Sequence, residues 1–209
     1  KVRDRRLREL RRDNFGFQKV ERLAGNVGYL DFGYFADPSQ AGETAIAALN
    51  FLANCEAIII DLRRNGGGQP AMIQLISTYF FSEPTHLNDL YTRRTDSTEH
   101  YWTLPYVPGR KPAEADLYIL TSARSFSGAE EFTYNLKNLK RATVIGETTG
   151  GGAHPTQGMI VDSEFILRVP FARAVNPITK TNWEGTGVAP DISVPAAEAF
   201  DRAYVLALE

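Results

Sequence analysis

Leu117-Tyr118-Ile119-Leu120-Thr121-Ser122-Ala123-Arg124-Ser125-Phe126-Ser127-Gly128-Ala129-Glu130-Glu131-Phe132 is the stretch that decides the fold. An apolar strand over Leu117 to Leu120 passes through a small, hydroxyl-rich turn into a helix expected over Gly128 to Leu139. The first turn of a helix leaves N–H groups unpaired and carries positive partial charge, so an oxyanion forming beside Ser127 would meet donors already aimed at it. Ser127 is therefore a candidate nucleophile. The same letters, Ser127-Gly128-Ala129-Glu130, also spell a capping box, in which serine and glutamate satisfy each other's backbone N–H groups. On this stretch alone the two readings stand level.

A second strand-to-turn junction precedes it. Ala57 to Leu62 is a short β-branched run of the kind buried on both faces of a sheet, and it leads into Arg63-Arg64-Asn65-Gly66-Gly67-Gly68 before a helix expected from Gln69 to Phe81. Glycines there let the backbone turn freely and approach a ligand closely. A phosphate loop does not fit, because no Gly-Lys-Ser/Thr follows and Gly-x-Gly-x-x-Gly would need glycine where Ala71 stands. An oxyanion hole is the other common use of such N–H groups. A third junction follows the serine helix, where a strand over Ala142 to Gly146 runs into Glu147-Thr148-Thr149-Gly150-Gly151-Gly152.

Around these junctions, Phe15 to Leu23 and Asn26 to Phe35 read as two strands joined by a tight turn at Gly25-Asn26. Ser39 to Asn54 reads as a helix started by Asp37-Pro38. Residues 82 to 115, rich in proline and aromatics, read as a surface excursion with strand-like pieces at Leu90 to Arg94 and His100 to Leu104, able to line a substrate groove. Gln157 to Val169 reads as strands around Asp162-Ser163, and Ala196 to Leu208 as a last helix. Alternating strands and helices call for an α/β domain with a covered sheet. Residues 1–14 are expected to be a helical remnant of an upstream region, with seven basic and three acidic side chains in residues 1–13 around Val2, Leu7 and Leu10. Residues 15–209 form the core.

Composition narrows the function classes. The chain has 209 residues, 43% hydrophobic and 23% charged, enough for one domain with a sizeable core. A net charge of −2 argues against a general nucleic-acid or anionic-membrane binder, and no apolar run approaches the ~20 residues of a membrane-spanning helix. The single cysteine, Cys55, leads into an apolar strand and reads as a small buried hydrophobe. No metal site and no cofactor are expected, since no His/Cys/Asp cluster shows ligand spacing.

Taken together, Ile60 to Gly68, Leu120 to Phe132, Arg141 to His154 and Gly185-Thr186-Gly187-Val188-Ala189-Pro190-Asp191 resemble the tail-specific (C-terminal-processing) serine proteases, in the branch of interphotoreceptor retinoid-binding protein and tricorn protease. The resemblance implies a ClpP/crotonase-like ββα superhelix and a serine-type peptidase acting by acyl transfer on a peptide or protein substrate, with no cofactor. It places the nucleophile on Ser127 and the oxyanion donors on Gly128 and on Gly67 or Gly68. In the bacterial processing proteases a lysine is the base, and its position here is Gly152, so a Ser/Lys dyad is excluded. The tricorn-like branch uses a histidine from the region N-terminal to this domain and a late glutamate, which falls on Glu184. Glu184 is thus the candidate orienting acid, and the histidine is expected upstream of Lys1. Of the three histidines present, His154 could approach the cleft but reads as a solvated loop residue, and His86 and His100 as surface residues. Two other functions compete: a non-catalytic lipid, retinoid or peptide binder of the same fold, and a crotonase-like acyl-CoA enzyme. The family leans extracytoplasmic.

Overall fold

A computed structural model describes residues 2–209 and shows a mixed α/β domain built on one six-stranded sheet. In chain order the elements are α1 (Val2–Arg12), β1 (Phe17–Leu23), β2 (Val27–Phe32), α2 (Pro38–Phe51), β3 (Ala57–Asp61), α3 (Pro70–Thr78), β4 (His86–Thr92), β5 (Ser97–Trp102), β6 (Asp116–Thr121), α4 (Gly128–Asn138), β7 (Thr143–Gly146), β8 (Thr156–Ile160), β9 (Ile166–Pro170), β10 (Arg173–Val175), β11 (Ile192–Ser193) and α5 (Ala199–Ala207). The main sheet runs β1-β2-β3-β6-β7-β11. Only the β1–β2 pair is antiparallel, and its turn is closed by Gly25 and Asn26, both at positive φ.

The β-branched run of β3 explains the layering. Ile58 and Ile60 point to one face and join Leu49 of α2, Ile73 of α3 and Phe132 of α4 in the larger core; Ile59 points to the other face and packs with Ala199 and Ala203 of α5. All three isoleucines are fully buried, as expected for a strand covered on both sides. Each isoleucine side chain so buried stabilises the fold by roughly 1.5–3 kcal/mol. Cys55 lies in the larger core, where burial pushes its thiol pKa up. Asp37 starts α2 as the sequence suggested, its carboxylate accepting the Ser39 N–H at 2.8 Å.

Two expectations need correction. The 82 to 115 segment is not a plain surface excursion: β4 starts at His86, earlier than the Leu90 expected, and pairs with β5 and β10 in a three-stranded antiparallel sheet whose Leu87, Asn88 and Leu90 are buried. Its register slips between His86 and Asn88. That bulge brings His86 and His100 within hydrogen-bond distance of Asp89, a cluster of His and Asp that the spacing did not suggest. In an ordinary strand residues three apart point to opposite faces, which is why numbering alone hid it. The strands β8 and β9 form a separate two-stranded hairpin as expected.

Candidate active site

Three turns meet at the carboxyl ends of β3, β6 and β7, where ligands collect in sheets of this kind. The first turn is organised by Asn65, which is fully buried. Its Nδ2 donates to Phe32 O at 2.9 Å, its Oδ1 accepts the Gly67 N–H at 2.8 Å, and its own carbonyl accepts the Phe126 N–H at 3.1 Å. One asparagine thus holds the glycine turn to β2 and to the serine turn. The glycines are required: Gly68 sits at φ 144, and a β-carbon there would lie 2.1 Å from Phe35 O. A β-carbon on Gly67 would lie 2.7 Å from Ser127 Cβ and 2.6 Å from Gly128 N.

The serine turn is staked onto the same loop. Ser125 Oγ donates to Leu62 O at 2.7 Å and accepts the Ser122 N–H, while Ser122 Oγ donates to Arg63 O at 2.6 Å. Ser127 then adopts φ 54 and ψ −118, a region sparsely visited by residues other than glycine and costing about 1–3 kcal/mol where the surroundings enforce it. The capping box forms, with Glu130 Oε2 accepting the Ser127 N–H at 2.7 Å. The two readings of Ser127-Gly128-Ala129-Glu130 are compatible, because a hydroxyl that faces a backbone N–H as an acceptor still carries its own proton and a second lone pair.

Around Ser127 the accounting of N–H groups separates the oxyanion candidates. Gly67 donates to Asn65 Oδ1 and is occupied. Gly68 and Gly128 have no hydrogen-bond acceptor among the described residues, and they are adjacent: a β-carbon on Gly128 would stand 2.9 Å from Gly68 N. Two free donors thus flank the serine. Beside Gly68 opens a cleft of about 600 Å³, lined by Phe35, Ala36 and Gln69 and by Leu7 and Leu10 of α1.

The third turn is bound through Glu130, which is completely buried. Besides Ser127 its carboxylate accepts Thr149 Oγ1 at 2.6 Å, Gly151 N–H at 2.6 Å and Gly152 N–H at 2.9 Å. Glu184 comes next along this loop, its Oε2 accepting the N–H groups of Ala153 at 2.7 Å and His154 at 3.1 Å. The 183–188 segment is locked there by Trp183 Nε1 donating to Gly152 O at 3.1 Å and by Gly185 N–H donating to Gly151 O at 2.8 Å. Glu184 and Ser127 consequently lie on the same side of the domain, joined through Glu130 and the Gly152–Ala153 backbone. His154 is half-buried rather than freely solvated, with Nδ1 3.8 Å from Glu184 Oε2. Glu131, one residue beyond the cap, is enclosed between α4 and the small sheet, and burial pushes its carboxyl up to about 7 against a partial opposing pull from Asn88.

Asn65 and the threefold role of Glu130 were missed from sequence. Both are polar residues in or next to a turn, and only the tertiary meeting of three loops distinguishes them from ordinary turn formers.

A serine between strand and helix beside two unengaged backbone donors is an arrangement suited to acyl-transfer chemistry. The profile of peptidase family S41 matches residues 26–194, and the chain belongs to that family. Among solved structures it is similar to the photosystem II D1 C-terminal processing protease (20% identity, 84% of this chain and 46% of that one, TM-score 0.66). It is similar also to a peptidase homologue from Parabacteroides merdae ATCC 43184 (22% identity, 95% and 69%, TM-score 0.74) and to mature CPAF (16% identity, 87% and 49%, TM-score 0.69). The chain thus spans about half the length of two of these three. Among the described residues no helix is long and apolar enough to cross a membrane.

Proposed function

We propose that this domain is the catalytic core of a serine-type peptidase that processes peptide or protein chains by acyl transfer through Ser127. The observation that carries the reading is the pair of free N–H groups, Gly68 and Gly128, beside a serine held in a strained cap. Ser127 Oγ attacks the scissile carbonyl while a histidine takes its proton; the carbonyl oxygen becomes an oxyanion between the two donors; collapse expels the amine, which receives that proton, and water then releases the acyl group by the same steps in reverse. Gly68 serves in preference to Gly67, whose N–H is already engaged. The Leu7/Leu10/Phe35 cleft receives substrate side chains.

Glu184 is the acid that orients the histidine, and the tricorn-like branch supplies that histidine from outside residues 1–209. The support is the glycine at 152, where the processing branch carries a lysine. A second reading rests on the 3.8 Å approach of His154 Nδ1 to Glu184 Oε2, which makes His154 the base. The ClpP/crotonase-like superhelix is supported by the repeated unit of strand, turn and helix, β3 to α3 and β6 to α4, with the two turns touching.

The test compares the chain, Ser127→Ala and His154→Ala in hydrolysis of peptide and ester substrates and in labelling by a fluorophosphonate. Labelling lost only in Ser127→Ala supports the nucleophile. Activity unchanged in His154→Ala assigns the base to a segment outside these residues, and activity lost there assigns it to His154. Ser127→Ala hydrolysing as fast as the parent would overturn the reading. Absence of both labelling and hydrolysis in the chain and in a longer form would favour the lipid- or peptide-binding module.

A further inference from the structure

The small sheet carries a second constellation that the peptidase reading does not use. Asp89 and His100 are directly paired across β4 and β5, and His86 is paired with Trp102. Because the bulge lies between His86 and Asn88, His86 is turned onto the face that holds Asp89, His100 and Trp102, while Leu90 and Asn88 go to the buried face that packs towards α4. The result is convergent: His86 Nε2 lies 2.6 Å and His100 Nδ1 2.7 Å from the same Asp89 Oδ1. All three ligating atoms fall within 4.8 Å of one another. The His86 ring is fixed by stacking on Trp102, with centroids 4.6 Å apart and an interplanar angle of 4°.

We infer that His86, Asp89 and His100 form a binding site for a zinc-class divalent transition-metal ion. Two imidazole nitrogens and one carboxylate oxygen are a borderline donor set suited to zinc, and three protein ligands leave one tetrahedral position for water. Tetrahedral bonds of about 2.0–2.1 Å set ligand atoms about 3.3 Å apart, so the two contacts need to open by only about 0.6–0.7 Å. In the metal-free chain each ring donates an N–H to Oδ1. On binding, the proton leaves His86 Nε2 and His100 Nδ1, each ring taking the tautomer protonated at its other nitrogen (Nδ1 of His86, Nε2 of His100), so that the lone pairs of His86 Nε2 and His100 Nδ1 turn to the metal. A bulge that re-aims a side chain onto two pre-paired ligands is the kind of feature sheets use at functional positions. The ion would clip β4 to β5 beside the segment bordering α4.

Equilibrium dialysis of the chelator-treated chain against zinc chloride, with Trp102 fluorescence as a second readout, tests this. The expected result is one zinc per chain, a change in Trp102 emission, and a loss of affinity of about tenfold or more in both His86→Gln and His100→Gln, with His154→Ala unchanged. Asp89→Asn, which keeps the shape but not the charge, should also weaken uptake, and far-ultraviolet circular dichroism establishes that each variant is folded. No uptake by the parent chain, uptake unaltered in folded His86→Gln and His100→Gln, or uptake lost only in His154→Ala would each overturn the assignment.

Discussion

The Phe126 ring fills the space in front of Gly152: a β-carbon on Gly152 would stand 2.2 Å from Phe126 Cζ. Phe126 immediately precedes Ser127, and its N–H is bonded to Asn65 O, so a side chain at 152 has to displace an aromatic ring next to the serine. Position 152, which the resemblance matches to a lysine, is thus a glycine faced by an aromatic ring. Gly152→Lys should therefore not create a base. It should cost about 1–3 kcal/mol from overpacking, measured by urea denaturation, with no gain in ester hydrolysis. A variant of unchanged stability that hydrolyses faster would show that the ring yields and the dyad can be rebuilt.

Ser127 and Glu130 should separate in stability and activity. Ser127 contributes at most the serine half of the capping box, so Ser127→Ala should cost no more than about 1 kcal/mol while removing hydrolysis. Glu130 accepts four donors from two segments at zero exposure. Glu130→Gln would turn an amide N–H₂ towards N–H groups and should cost at least about 3 kcal/mol, since each charge-assisted bond contributes about 1.5–3 kcal/mol. Paired thermal and denaturant melts of the two variants check the contrast, and equal losses would contradict it.

The alternation of strands and helices, the buried β3 and the two turns facing each other were legible, because hydrophobic period and glycine placement act locally. Ser127 could be raised as a candidate from its place before a helix, where the same letters spell a cap as well as a nucleophile, while Gly128 and Glu184 come only through a resemblance. What sequence could not carry was long-range: Asn65 looks like any turn asparagine until Phe32, Gly67 and Phe126 arrive around it. The His86/Asp89/His100 cluster depended on a bulge, a one-residue slip that reverses which face a side chain occupies. Strand edges in the 82 to 115 segment were misplaced because prolines and aromatics obscured the period-2 pattern there.

The pH dependence should carry a mark of Glu131. Burial raises its carboxyl in the folded chain to about 7 from an ordinary value of 4.5, so the folded state holds a proton that the unfolded state has released between those values. Its contribution to stability is fully present below pH ~4.5 and is lost as pH rises through about 7, by up to roughly 3 kcal/mol at 1.36 kcal/mol per unit. Glu131→Gln should flatten that slope and raise the melting temperature at pH 8 relative to the parent. Melting curves between pH 5 and 8, about the ordinary working range for such linkage, decide it: a parent whose stability rises across this window with a slope that Glu131→Gln leaves untouched would place the proton elsewhere.

Asn65 should prove to be a positioning residue for the oxyanion donors. Its Oδ1 holds the Gly67 N–H at 2.8 Å and its Nδ2 holds Phe32 O at 2.9 Å, so the direction of the next N–H, that of Gly68, follows from the asparagine amide. Asn65→Ala orphans a buried donor and a buried acceptor and should cost about 2–4 kcal/mol at about 1–3 kcal/mol per unsatisfied group. Asn65→Asp keeps the acceptor for Gly67 and loses only the donor to Phe32 O, so it should retain more of the turn. If Gly68 is an oxyanion donor, Asn65→Ala should lower kcat by about 10²–10³, the loss typical of removing one such donor, while fluorophosphonate still finds Ser127 and KM changes little. A folded Asn65→Ala with unaltered kcat would mean that the donors are aimed by the glycine backbone alone, and a rise in KM with kcat intact would move the role of this turn from the oxyanion to substrate binding.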